Sequence, residues 1–154
     1  MLQIDADAPA VDRESVTIDA PIDLVFATLT DFPSWPEWQE DVSKAAADEP
    51  EGGLVEGAGF SWTSRGTKIR STIGRLDAPR EIGWTGEAIG THAIHIWRLE
   101  SDGDRTVVNT EESMHGWLPR LLTAMTRRAL RRGLSSAAQG LKAESERRYS
   151  ADAK

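Results

Sequence analysis

Most constraining for the fold is the order of patterns along the chain: a strand-like run and a short helix, five or so further strand runs, then one closing helix of about 30 residues from near Trp117 to near Arg148. A meander of strands cannot bury its apolar face alone. One long amphipathic helix laid across it can. A single helix held inside a curved sheet leaves a cavity between the two, so the layout points to a small-molecule guest.

The runs follow from residue types. Glu14 to Ala20 reads as a strand with Val16 and Ile18 on one face. Pro21 opens a helix carrying Leu24, Val25 and Leu29, and Pro33 ends it. The segment Pro33-Ser34-Trp35-Pro36-Glu37-Trp38 is a short second helix or a turn. Strands are then expected at Val42–Glu49, Phe60–Arg65, Thr67–Leu76, Glu81–Glu87, Thr91–Glu100 and Thr106–Ser113, with turns such as Pro50-Glu51-Gly52-Gly53 and Asp102-Gly103-Asp104 between them. Period-2 alternation in most of these strands marks an antiparallel meander.

At 154 residues the chain suits one domain, with a flexible segment at 1–12, a body at 13–148 and a flexible tail at 149–154. It has no cysteine, which excludes disulfides and thiolate metal sites. The acidic start lacks the regions of a signal peptide, and no apolar run reaches bilayer-spanning length, so a cytoplasmic protein is expected. The net charge of −7 is uneven: Trp117 to Arg148 carries eight basic and two acidic residues, a net +6, which leaves −13 on the rest. A basic helix on an acidic body suggests either nucleic acid or an anionic membrane, or a solvated helix face in which Arg120, Arg127, Arg128, Arg131 and Arg132 pair with carboxylates of the same body; the second reading is preferred. An acidic body repels phosphates, so no nucleic-acid partner is expected.

In the closing helix, Leu118, Leu121, Leu122, Met125, Ala129, Leu134, Ala137 and Leu141 follow helical spacing. Ala129, Gly133, Ser136 or Ala137, and Gly140 form a stripe of small residues. The stripe either leaves volume above the sheet for a ligand or lets helix and sheet approach closely.

No phosphate-cradling glycine loop, nucleotide fingerprint or serine elbow is present. His92 and His95 fall on opposite strand faces, so neither a metal nor another cofactor is expected. Parity leaves an aromatic and polar set instead. Phe60 and Trp62 share a face, as do Ile69, Ser71 and Ile73, and Ile82 and Trp84. On the longest strand the face bearing Ala93, His95, Trp97 and Leu99 is taken as inward, because it holds the larger aromatic and ends in leucine rather than arginine. Thr106, Val108, Thr110, Glu112 and Met114 then point inward, and a slip of one would substitute Glu111. An inward His95 beside Glu112 is either an acid–base pair or a fixed polar anchor in an apolar pocket.

These pieces together resemble the START-like or SRPBCC superfamily, in its polyketide cyclase/dehydrase branch. The resemblance rests on Ile18-Asp19-Ala20-Pro21 leading into Val25-Phe26, on Asp31-Phe32-Pro33-Ser34-Trp35-Pro36-Glu37-Trp38, on Asp77-Ala78-Pro79-Arg80-Glu81-Ile82-Gly83-Trp84, on His95-Ile96-Trp97-Arg98-Leu99-Glu100, and on Glu111-Glu112 with Gly116. It implies an α+β helix-grip fold: a seven-stranded antiparallel sheet curved round a long C-terminal helix, with two short helices after the first strand. It also implies a cavity for lipids, polyketides or other apolar and aromatic molecules, and it names no catalytic residue. The expected ligand-binding set is Phe60, Trp62, Ile73, Trp84, His95, Trp97, Glu112, Met125 and Ala129. The expected partner is a small hydrophobic ligand, with a homodimer compatible with the layout. The alternative is a polyketide cyclase or dehydratase using His95 or Glu112 as acid or base.

Overall fold

A computed structural model describes residues 2–154. After β1 (Ala10–Ile18) come α1 (Ile22–Thr30), a 3-10 turn at Phe32–Ser34 and α2 (Trp35–Trp38). The meander follows as β2 (Val42–Ala47), β3 (Gly59–Ser64), β4 (Thr67–Asp77), β5 (Glu81–Ala88), β6 (Thr91–Asp102) and β7 (Arg105–His115). The chain closes with α3 (Trp117–Leu121) and α4 (Thr123–Asp152).

All seven strands form one antiparallel sheet in the order β1-β7-β6-β5-β4-β3-β2. The two short helices carry the chain from one sheet edge to the other, and the meander then returns to pair β7 with β1. The two-residue connection Arg65-Gly66 shows why the hairpins are tight. Both residues have positive φ, 49° and 80°, the geometry that matches the twist of flanking strands.

α4 crosses the concave side of this sheet, against β1 and β7 and beside α1 and α2. One end of the enclosed space is filled. Trp35 is 2% exposed and sits edge-on to Phe32, Phe60 and Trp62. Phe32 stacks on Phe60 at 4.1 Å, and Trp84 closes on both Trp35 and Phe60. The Trp35 indole N–H donates to Leu29 O at 2.9 Å, so the ring is buried without an orphaned donor. Ile18, Val25, Leu29, Ile73, Trp97 and Leu141 complete this core.

Strand ends shift by one or two residues from the sequence expectation in the meander, and larger differences lie at the two ends of the chain. The first strand begins at Ala10 rather than Glu14. Residues ahead of it lie on the sheet: the Asp5 N–H donates to Ser113 Oγ at 3.1 Å, and Leu2 packs over Gly74 and Gly83 on the convex face. That cover explains why Ile96, on the outward parity of β6, is 1% exposed. The closing helix is also two helices. It breaks at Leu122, whose φ of −114° and ψ of 50° leave the helical region. It then runs to Asp152, past the expected end near Arg148. Gly133 and Gly140 do not interrupt it.

Candidate functional site

The other end of the space between sheet and helix is empty. A cavity of about 460 Å³ lies under α4, within the range that holds small organic molecules. Its sheet wall comes from Trp62, Ile69, Trp84, Ala93 and Met114, and its helix wall from Leu118, Leu122, Met125, Ala129, Leu130, Gly133 and Leu134. Antiparallel pairing places these side chains on one face: Trp84 opposes His95, Ala93 opposes Met114, and His95 opposes Glu112.

Of the expected set, Trp62, Trp84, His95, Glu112, Met125 and Ala129 line this cavity. Phe60, Ile73 and Trp97 do not. They lie further along the same inward face, where Phe32, Trp35 and Leu141 fill the room, and are buried core with 0–2% exposure. Parity assigns a face to a residue but not its position along the helix axis. Trp35 belongs to that core as well. Ile69, Met114, Leu118, Leu122 and Leu134, which parity and helical spacing put on the correct faces, also line the cavity, as does Leu130, which the helical stripe does not include.

Polar side chains such as Gln39, Asp41, Ser64, Thr67, Thr126 and Ser136 also line the cavity, and the one close polar pair of its sheet wall is a cross-strand pair. His95 Nδ1 lies 3.4 Å from Glu112 Oε1, and both side chains are at most 14% exposed. His95 Nε2 is 2.7 Å from Thr110 Oγ1, a contact that fixes the ring. Trp84 and Trp97 flank the imidazole at centroid distances of 5.2 and 5.1 Å. Glu111 faces the other way and meets Arg98 at 3.3 Å, so the register settles on Glu112 inward.

Desolvation dominates both ionisable groups. Burial lowers His95 from 6.5 to about 3 and raises Glu112 from 4.5 to about 8. The neutral imidazole therefore faces a protonated carboxyl at neutral pH. A proton on Glu112 can be offered to a guest, and the direction of the His95 Nε2–Thr110 Oγ1 hydrogen bond follows the imidazole tautomer. No arginine or lysine among the described residues reaches the pair. The nearest cation lining the cavity, Arg65, is bound to Asp41 at 3.0 Å at the far rim. His92 lies on the opposite face of β6, against Glu87 and His115.

The small-residue stripe serves both purposes at different positions. A Cβ on Gly133 would meet no atom within 4 Å, and Gly133 lines the cavity. A Cβ on Gly140 would collide with the Trp38 carbonyl oxygen, so this glycine permits the close crossing of α4 over α2.

A seven-stranded antiparallel sheet gripping one long helix over a cavity defines the helix-grip class of folds. The family model described as "Polyketide cyclase / dehydrase and lipid transport" matches residues 11–146, and the chain belongs to this family. No curated protein sequence matches the chain. Solved structures share the fold. A hypothetical protein from Helicobacter pylori aligns with a TM-score of 0.81 at 20% identity, covering 94% of this chain and 97% of that one. The Zhui aromatase/cyclase from a Streptomyces species aligns at 0.77 and 19%, covering 90% and 94%. A START superfamily protein from Mycobacterium smegmatis aligns at 0.74 and 13%, covering 89% and 97%.

Proposed function

We propose that the protein binds a small hydrophobic or aromatic molecule in the chamber under α4, with His95 and Glu112 holding one uncharged polar group of the guest. The observation that supports this reading is the make-up of the chamber: mostly apolar and aromatic walls, with His95 and Glu112 as a close, largely buried polar pair that no arginine or lysine among the described residues contacts. Hydrocarbon and ring surface satisfy the walls. A carbonyl or hydroxyl satisfies the pair, accepting from protonated Glu112 or donating to His95 Nδ1. A carboxylate has no counter-charge there and would pay its full desolvation.

Native mass spectrometry of freshly purified protein, followed by tryptophan fluorescence titration with matched phenol, ketone and carboxylate analogues, tests this. Saturable binding of the neutral analogues is expected, with the carboxylates at least tenfold weaker, the factor that about 1.4 kcal/mol represents. Equal or tighter binding of the carboxylates would overturn the reading. So would quenching that is unchanged in both Trp62→Ala and Trp84→Ala.

A second reading is supported by the same pair. Glu112 and His95 are matched for moving a proton next to a bound carbonyl, as cyclisation or dehydration of a polyketide-like substrate requires. Under this reading His95→Gln lowers turnover by about 100-fold or more with little change in affinity. Equal losses in both favour binding alone.

A further inference from the structure

One end of the chamber opens through a rim that leaves large apolar side chains in water. Ile89, in the turn between β5 and β6, is 83% exposed. Trp117 and Leu121 of α3 are 61% and 74% exposed, and Met125 at the start of α4 is 64%. These side chains come from three segments but form one surface. The Leu118 N–H donates to Gly90 O at 3.1 Å, and the Trp117 ring lies so close over Gly90 that a Cβ there would collide with it. Ile89, Leu118, Leu122 and Met125 all line the chamber mouth. A contiguous exposed apolar patch of this kind marks an interaction surface.

The charge of α3 and the first part of α4 is equally one-sided, while on the β5–β6 side exposed Glu87 is paired with His92. From Trp117 to Arg132 there are five arginines and no acidic residue, while the rest of the chain carries −12. The body occupies two of the five: Arg127 Nε donates to Pro9 O at 2.8 Å, and Arg131 meets Asp12 at 3.4 Å. Arg120, Arg128 and Arg132 are exposed and have no carboxylate partner among the described residues. The expectation that all five are paired by the body is met only by Arg131. Arg128 lies three residues beyond Met125, on the same side of α4.

We propose that this rim is a docking face for an anionic lipid surface. Ile89, Trp117, Leu121 and Met125 enter the interfacial layer, and Arg120 and Arg128 meet lipid phosphates. Apolar side chains flanked by arginines are the pattern of interfacial membrane binding. The acidic remainder of the molecule repels the same surface, so the charge asymmetry sets the orientation: the chamber mouth faces the lipid. A nucleic acid would leave the projecting leucines and isoleucine unused. This face rests on exposure and charge and is independent of what the chamber binds.

Co-sedimentation of the full chain with vesicles tests it, comparing phosphatidylcholine alone with phosphatidylcholine containing phosphatidylglycerol. The wild type is expected to pellet with the anionic vesicles at low salt and to stay in solution with the neutral ones. Arg120→Glu with Arg128→Glu should weaken pelleting by about tenfold or more. Leu121→Glu with Met125→Glu should do the same, with the circular dichroism spectrum retained. Arg105→Glu, the same type of charge change at the opposite end of β6 and β7, should leave pelleting largely intact. Brominated lipid should quench wild-type fluorescence more than that of Trp117→Phe. Wild-type protein that stays in solution with anionic vesicles at low salt would overturn the proposal. Pelleting unaffected by either rim pair would do so as well. Retention on immobilised polyglutamate without vesicle binding would reassign the face to an acidic protein.

Discussion

His95 and Glu112 lie 3.4 Å apart, and burial favours the neutral form of each, imidazole and carboxyl. The consequence is visible in stability against pH. His95 binds a proton more weakly folded than unfolded, so between about pH 3 and 6.5 the unfolded state holds more protons at this site and stability rises with pH. Glu112 is the reverse. Between about pH 4.5 and 8 the folded state holds more protons, and stability falls as pH rises. The two slopes cancel between 4.5 and 6.5. The pair therefore contributes a loss on the acid side below 4.5 and another on the alkaline side from 6.5 to 8. Thermal melts across this range should show Glu112→Gln flattening the alkaline loss while His95→Gln flattens the acid one. A Glu112→Gln profile that still falls as steeply as wild type between 6.5 and 8 would show Glu112 already ionised in the folded protein. The pair was legible in the sequence because strand parity and hairpin register are local properties. Thr110 as the imidazole's partner needed the distance of 2.7 Å, since parity brings several inward side chains equally near.

The two glycines of α4 separate what helix and sheet each demand. Gly133→Ala adds a methyl group to open space and removes backbone freedom, so stability should increase by about 0.5–1 kcal/mol. Gly133→Leu should fill part of the chamber and lower guest affinity in a fluorescence titration. Gly140→Ala drives a Cβ into the Trp38 backbone and should destabilise by about 1–3 kcal/mol despite the better helix propensity of alanine. Urea unfolding of the two alanine variants should give shifts of opposite sign. Sequence spacing alone could not divide these roles, because seven residues return a helix to nearly the same face. The difference lies in what stands opposite each turn. For the same reason the long helix was legible from its periodicity while its break at Leu122 was not. Leucine there fits a helical pattern, and only the docking of α3 on Gly90 turns the backbone. The early start of β1 was hidden by Asp12 and Arg13, polar residues on a strand whose pairing with β7 is set by backbone bonds rather than apolar side chains.

Across the whole molecule the packed and the hollow regions occupy opposite ends of one sheet. Phe32, Trp35, Phe60 and Trp97 supply a rigid aromatic core at one end. The chamber between Trp84 and Met125 lies at the other. A guest bound only by the folded state should raise the melting temperature without changing the core: at a free concentration of 100 times Kd it adds about 2.7 kcal/mol, which is about 5–10 °C for a chain of this length. Differential scanning fluorimetry with the neutral analogues measures that shift directly. No helix among the described residues is long and apolar enough to cross a membrane. The fold persists in structures at 13–20% identity, which is intelligible if the two ends drift independently. Substitutions at Ala129, Gly133 or Met125 can resize the chamber while the aromatic core at the other end stays packed. A lineage that inherits this architecture can take up a new guest without first losing its scaffold.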